Sequence, residues 1–215
     1  MGSVQPVFHY DLGSPESYLA AERVMAALPV VPEWTPIFAA GLPAGAAPVR
    51  DLVPSRAVPD RAPPPLSAGR DAGLADRRAA VERAAAAQHV QPLRWPAGWP
   101  GETRAAMVAA TYAKQIGRAV AFSLAAFRQA FAGGRELADE DTILIAAAAC
   151  EMHPRAVRQA LGRAPVAAAL DAATAAACAT GVRDVPALVV GAQVFQGADC
   201  VEAAAAALAA ALPAP

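Results

Sequence analysis

Val7-Phe8-His9-Tyr10-Asp11 is a short apolar run with one polar residue at its centre, and Gly13-Ser14-Pro15 follows almost at once. An apolar run bounded by turn residues predicts a strand over 7–11. Ser14 suits a helix N-cap and Pro15 the first helical position, so a helix is expected from there to about Leu28. Tyr18, Leu19, Glu22 and Met25 keep the spacing of one helix face, although Glu22 is polar. Pro29 and Pro32 bracket a turn, and Val31–Phe38 is expected as a second strand parallel to the first. The opening third of the pattern is therefore β-α-β.

From Gly41 to about Gly69 the periodicity vanishes into Pro, Gly and Arg, which predicts a long irregular or partly mobile connection. Helical patterns then follow one another over Gly73–His89, Glu102–Ile116 and Ala119–Ala132. In the last of these Val120, Leu124, Phe127 and Phe131 share a stripe, and Gly133-Gly134 ends it. Asp139 caps a further helix through Ala149, His153-Pro154 starts one that stops at Gly162, and Pro165 opens another ending at Gly181. No fixed period emerges, so this is a helical block and not a repeat. Alternation returns at the C-terminus. Pro186–Val190 reads as a strand, Gly191-Ala192 as a two-residue type II′ turn, and Gln193-Val194-Phe195 as the return strand. Asp199 then leads into an alanine-rich helix ending near Leu212. The whole order is β-α-β, helical block, β-β-α.

Composition narrows the function classes. Of 215 residues 56% are hydrophobic and 17% charged, enough for a sizeable core. A formal net charge of −1 gives no electrostatic reason to expect nucleic acid or an anionic membrane as partner. The N-terminal segment lacks the basic and apolar regions of a secretory signal. Thr142–Cys150 and Ala203–Leu212 are too short and too alanine-rich to span a bilayer. The three cysteines, Cys150, Cys178 and Cys200, are scattered and spell neither Cys-x-x-Cys nor a zinc knuckle, so a reducing cytoplasm fits best. With three scattered histidines they form no metal set, and the absence of Gly-x-Gly-x-x-Gly speaks against a nucleotide.

The strand-to-helix corner carries the most chemistry. Ser14-Pro15-Glu16-Ser17 stands where a thiol oxidoreductase would place Cys-x-x-Cys. At a helix N-terminus a cysteine would become an acidic thiolate. A serine cannot, but its hydroxyl can donate to a thiolate supplied from outside. Its plainer role is that of an N-cap. Val185-Pro186 opens the first C-terminal strand, and spacing alone predicts an ordinary trans bond. Asp199 is placed to cap the last helix. Trp95 and Trp99, in RWPAGWP, serve either as walls of an aromatic pocket or as core anchors. His9 reads as structural, and His89 and His153 as caps or surface groups. Cys200, near a helix start, is either a thiol of lowered pKa or an ordinary small residue.

These features together resemble the DsbA-like branch of the thioredoxin superfamily. Within it the chain is similar to the 2-hydroxychromene-2-carboxylate isomerase and kappa-class glutathione transferase family. Three blocks carry the likeness: Tyr10-Asp11-Leu12-Gly13-Ser14-Pro15 with Ser17-Tyr18-Leu19-Ala20, then Pro92-Leu93-Arg94-Trp95-Pro96, then Val185-Pro186-Ala187-Leu188 with Phe195-Gln196-Gly197-Ala198-Asp199. The resemblance implies an α/β thioredoxin-like fold built from 1–40 and 182–215, a Pro/Gly-rich connection over 41–72, and an all-helical insertion over 73–181. It implies a glutathione-dependent isomerase or transferase, using glutathione or another low-molecular-weight thiol on an aromatic or electrophilic substrate, and a homodimer. Ser14 would stabilise the thiolate, and Val185, ahead of a cis Pro186, would hold the cysteinyl part. Ala198 and Asp199 would take the γ-glutamyl end. Glu16 replaces the family's aromatic residue, Ala198 its Asn or Ser, and Cys200 its usual Arg. The 41–69 stretch does not clearly offer the Asn and Lys that help bind glutathione in relatives. Two other functions compete: a disulfide oxidoreductase, which the missing thiols disfavour, and a non-catalytic domain that binds a thiol or peptide, which Glu16 and Ala198 favour.

Overall fold

The computed structural model describes residues 5–43 and 66–211. Strand β1 (Val7–Tyr10) turns into helix α1 (Pro15–Ala27), and β2 (Glu33–Pro36) returns parallel to β1. A helical block follows: α2 (Leu66–Ala87), α3 (Arg104–Gln115), α4 (Ala119–Phe131), α5 (Glu140–Ala148), α6 (Pro154–Leu161) and α7 (Ala164–Ala179). β3 (Ala187–Val190) and β4 (Gln193–Gln196) make a hairpin, and α8 (Cys200–Ala211) closes the chain's described part. The sheet runs β2-β1-β3-β4, with β3 antiparallel to both β1 and β4. Gly191 has φ 59° and Ala192 is not among the positive-φ residues, as a type II′ turn requires.

Several expected boundaries shift, each for a local reason. β1 stops at Tyr10 because the Asp11 carbonyl accepts from Ser14 N at 3.0 Å and so closes a turn. β2 is trimmed at its far end because Phe38 N donates to Thr174 Oγ1 of α7 at 2.9 Å. Helix α2 begins at Leu66, not Gly73. Gly69 and Gly73 look like breakers, yet a helical glycine costs only about 1 kcal/mol relative to alanine, and the last proline of the run is Pro65. The helix thus takes the end of the stretch expected as connection, and residues 44–65 of that stretch lie outside the described residues.

The sheet divides two apolar cores. Phe8 and Tyr10 are fully buried in the larger one, with Tyr18 and Val24 of α1, Phe127 of α4 and Leu208 of α8. Tyr10 also bonds Ser123 of α4 through its hydroxyl at 2.6 Å, which ties β1 to the helical block. The smaller core gathers Ile37, Ala177 of α7, Val182, Val185 and Ala187. No helix among the described residues is long and apolar enough to cross a membrane.

Candidate functional site

The β1–α1 corner is organised by Asp11. One carboxylate oxygen accepts from Gly13 N at 2.8 Å and Thr103 Oγ1 at 3.4 Å; the other accepts from Ala39 N at 2.8 Å. One side chain therefore fixes the corner, the segment after β2 and the approach to α3. Burial pushes the Asp11 pKa up, against the pull of those three donors. Behind the corner Trp99 donates its indole N–H to the Gly13 carbonyl at 3.0 Å.

Ser14 is the N-cap of α1, with φ −92° and ψ 114°. Its Oγ accepts from Ser17 N at 3.1 Å, satisfying one of the orphan donors of the first turn. The hydroxyl proton goes to Glu16 Oε2, 3.1 Å away. Glu16 is held in turn by Arg77 of α2, whose Nε and Nη2 meet its two oxygens at 2.7 Å each. Burial alone would raise the Glu16 carboxyl, but the Arg77 bonds and charge, helped by its own backbone N–H and by Ser14, bring it below the ordinary carboxylate range.

Ser14 faces a cavity of about 330 Å³, shared with Asp11, Phe38, Arg77, Thr103, Asp184 and Val185. Val185 is 6% exposed and its peptide bond to Pro186 is cis, not the trans that spacing alone predicts. Its N–H, however, donates to Asp184 Oδ1 at 2.8 Å. Both donors that the sequence singled out are thus spent on carboxylates of the chain itself. Pro186 lies buried beneath Val185, its carbonyl accepting from Gly197 N at 2.9 Å.

The remaining candidates fall elsewhere. Ala198 borders a second, mostly apolar cleft of about 220 Å³ between α1 and α2, and Arg77 borders both spaces. Asp199 is exposed; its backbone carbonyl accepts from Ala203 N in the first turn of α8, but its side chain bonds nothing among the described residues. Trp95 and Trp99 pack together at 4.6 Å, outside the lining of the Ser14 cavity. Trp95 bonds Glu82 at 2.7 Å, while the Arg77 and Arg78 guanidiniums lie over the Trp99 ring at 5.3 and 5.4 Å.

No cysteine lines the Ser14 cavity. Of the two alternatives for Cys200 the structure favours the ordinary small residue: it is buried, and desolvation pushes its thiol up to about 12. His153 does cap α6, accepting from Arg155 N at 3.2 Å, and His89 ends α2 at φ 56°. His9 is buried, with Nδ1 unpartnered among the described residues. Sequence reasoning missed Arg77. It sits in Asp76-Arg77-Arg78, on a helix where charged residues read as solvated, and nothing in that pattern reveals a partner 61 residues upstream.

Comparison with known proteins agrees with this architecture. No curated protein is significantly similar in sequence. Among solved structures, a 2-hydroxychromene-2-carboxylate isomerase superposes with TM-score 0.76 at 18% identity, covering 96% of this chain and 95% of that one. A probable DsbA oxidoreductase from Streptomyces coelicolor superposes with TM-score 0.70 at 21% identity, covering 99% and 92%. At these identities the likeness is one of fold. Residues 7–209 match the DSBA-like thioredoxin domain, and the chain belongs to that family.

Proposed function

We propose that the chain is a thiol-dependent isomerase or transferase acting on an electrophilic, conjugated substrate, with the sulfur brought by glutathione or another small thiol. The observation that carries this reading is the shared cavity: Ser14 at a helix N-terminus and Val185 border one space of about 330 Å³ that no cysteine lines. Such a thiol, ionised, adds to a conjugated carbon, leaves the former double bond free to rotate, and departs unchanged, so no oxidant is needed.

The chain's own part is positioning and electrostatics. The first-turn N–H groups and dipole of α1 favour negative charge beside Ser14. Ser14 turns its hydroxyl from Glu16 to the incoming anion, and Val185 releases its N–H from Asp184. Arg77 keeps one cation at the mouth, against the carboxylates of Asp184 and Glu102 that also line it. The γ-glutamyl end of glutathione meets an obstacle, because the Arg77–Glu16 pair stands between the Ser14 cavity and Ala198. A shorter thiol fits without crossing it. The unpaired Cys150, Cys178 and Cys200 accord with a reducing compartment such as the cytoplasm. Dithiol–disulfide exchange has no support at the corner, where Ser14 and Ser17 stand at the Cys-x-x-Cys spacing.

The engagement of Ser14 and Val185 by internal carboxylates favours a second reading, a domain that binds a thiol or peptide without turnover. One assay separates the two. With thiol and a conjugated enone as substrate, the first reading expects turnover that falls on the order of a hundredfold in kcat in Ser14→Ala. Thiol binding without turnover supports the second reading. Unchanged turnover in Ser14→Ala overturns the role of the serine.

A further inference from the structure

Glu16 sits where an outside ligand's charge would sit. Arg77 grips its carboxylate with two parallel N–H bonds of 2.7 Å, the forked geometry that guanidinium makes with any carboxylate. Ser14 adds a third bond to the same Oε2. Two elements far apart in sequence, the corner and α2, therefore converge on one carboxylate group. Arg77 is braced over Trp99 at 5.3 Å, so the fork stays aimed whether or not Glu16 fills it. The pair is also open to water, with side-chain exposures of 46% for Arg77 and 24% for Glu16. At that exposure solvent and outside anions reach the fork, so its occupant is open to competition.

Arg77 and Glu16 also line the second cleft; Arg23, Gln88 and Ala198 border it too, and the rest of its wall is Leu19, Ala80, Val81 and Ala84. These are apolar surfaces of α1 and α2, ending at the fork. We propose that Glu16 is the internal occupant of a carboxylate-binding site, and that the site takes a small carboxylic acid with an apolar body. The ligand's carboxylate replaces that of Glu16 on Arg77, and its body enters the cleft between α1 and α2. Glu16 is then a specificity-determining residue, since only a ligand that outcompetes it gains the fork. This inference needs no thiol and does not depend on the reaction proposed above.

The test is calorimetric titration without thiol, using 3-phenylpropanoate and its uncharged amide as probes. The acid binds wild type, and the amide binds about tenfold more weakly or worse, because it cannot make charge-assisted bonds to Arg77. Arg77→Gln brings the acid down to the level of the amide. Glu16→Gln, which removes the competitor, tightens acid binding about tenfold. Equal binding of acid and amide overturns the proposal, as does weaker acid binding by a folded Glu16→Gln, or no binding of either probe. If Glu16→Gln does not fold, the acid–amide comparison and Arg77→Gln decide. Failure here leaves thiol-dependent turnover untouched, and failure of the turnover assay leaves this result untouched.

Discussion

His9 is a base kept neutral by its surroundings. Burial, and next the charge of Lys114, lower its pKa from 6.5 to about 4; Glu33 opposes them weakly. Lys114 donates to Thr35 Oγ1 at 2.6 Å and pairs with Glu33 at 2.7 Å, and Thr35 is the register partner of His9 across β1 and β2. Because the folded protein binds this proton less readily than the unfolded chain, His9 costs nothing above pH 6.5. As the pH falls from 6.5 toward 4 it withdraws about 3 kcal/mol of stability. His9→Leu removes that titration, so its urea midpoint should fall less steeply over this window than that of wild type. Parallel pH profiles would refute the assignment. At this scale the sequence was partly legible: a polar residue inside an apolar run marks His9 as structural, and Ser14-Pro15 marks a capped helix. The partners are not legible. That Glu16 takes the Ser14 proton and Asp184 the Val185 N–H depends on rotamers no local pattern encodes.

At the scale of elements, the corner between β1 and α1 is set against the start of α3. A Cβ built on Gly13 would lie 2.7 Å from Thr103 Cγ2, closer than real contacts allow. Gly13→Ala should therefore cost about 1–3 kcal/mol through overpacking. Thr103→Ser removes the offending methyl while keeping the hydroxyl that donates to Asp11. Urea denaturation of the two single variants and the double variant should show recovery of most of the loss, and strict additivity would sink the explanation. Element existence was largely legible, since apolar period, caps and glycines mark every helix from α3 to α7 to within a few residues. The start of α2 was not. Two glycines and a preceding proline run imitate a loop, and tertiary packing of Val81 and Ala85 holds the helix regardless.

Over the whole molecule, one continuous core contains Phe8, Tyr10 and Leu188 of the sheet together with Phe122, Phe131, Ile143 and Leu170 of the helical block. Such a shared interior predicts one cooperative transition. Far-UV circular dichroism, which reads mainly the helices, and the tryptophan fluorescence of a Trp95→Phe, Trp99→Phe variant, whose remaining tryptophan Trp34 lies in β2, should give coincident urea curves; a separation between them would show that the two parts melt independently. The global order β-α-β, helices, β-β-α was readable because periodicity changes twice along the chain. The convergence of α2 on the corner was not readable, because it joins Arg77 to Glu16 across a proline-rich stretch with no pattern of its own.

The bond between the Trp99 indole and the Gly13 carbonyl has an optical consequence. The fluorophore is wired to the backbone one residue before Ser14, so whatever displaces the cap must also alter the polarity felt by the ring. A shift of tryptophan emission on adding ligand, lost in Trp99→Phe, would therefore be a label-free report of occupancy at the corner.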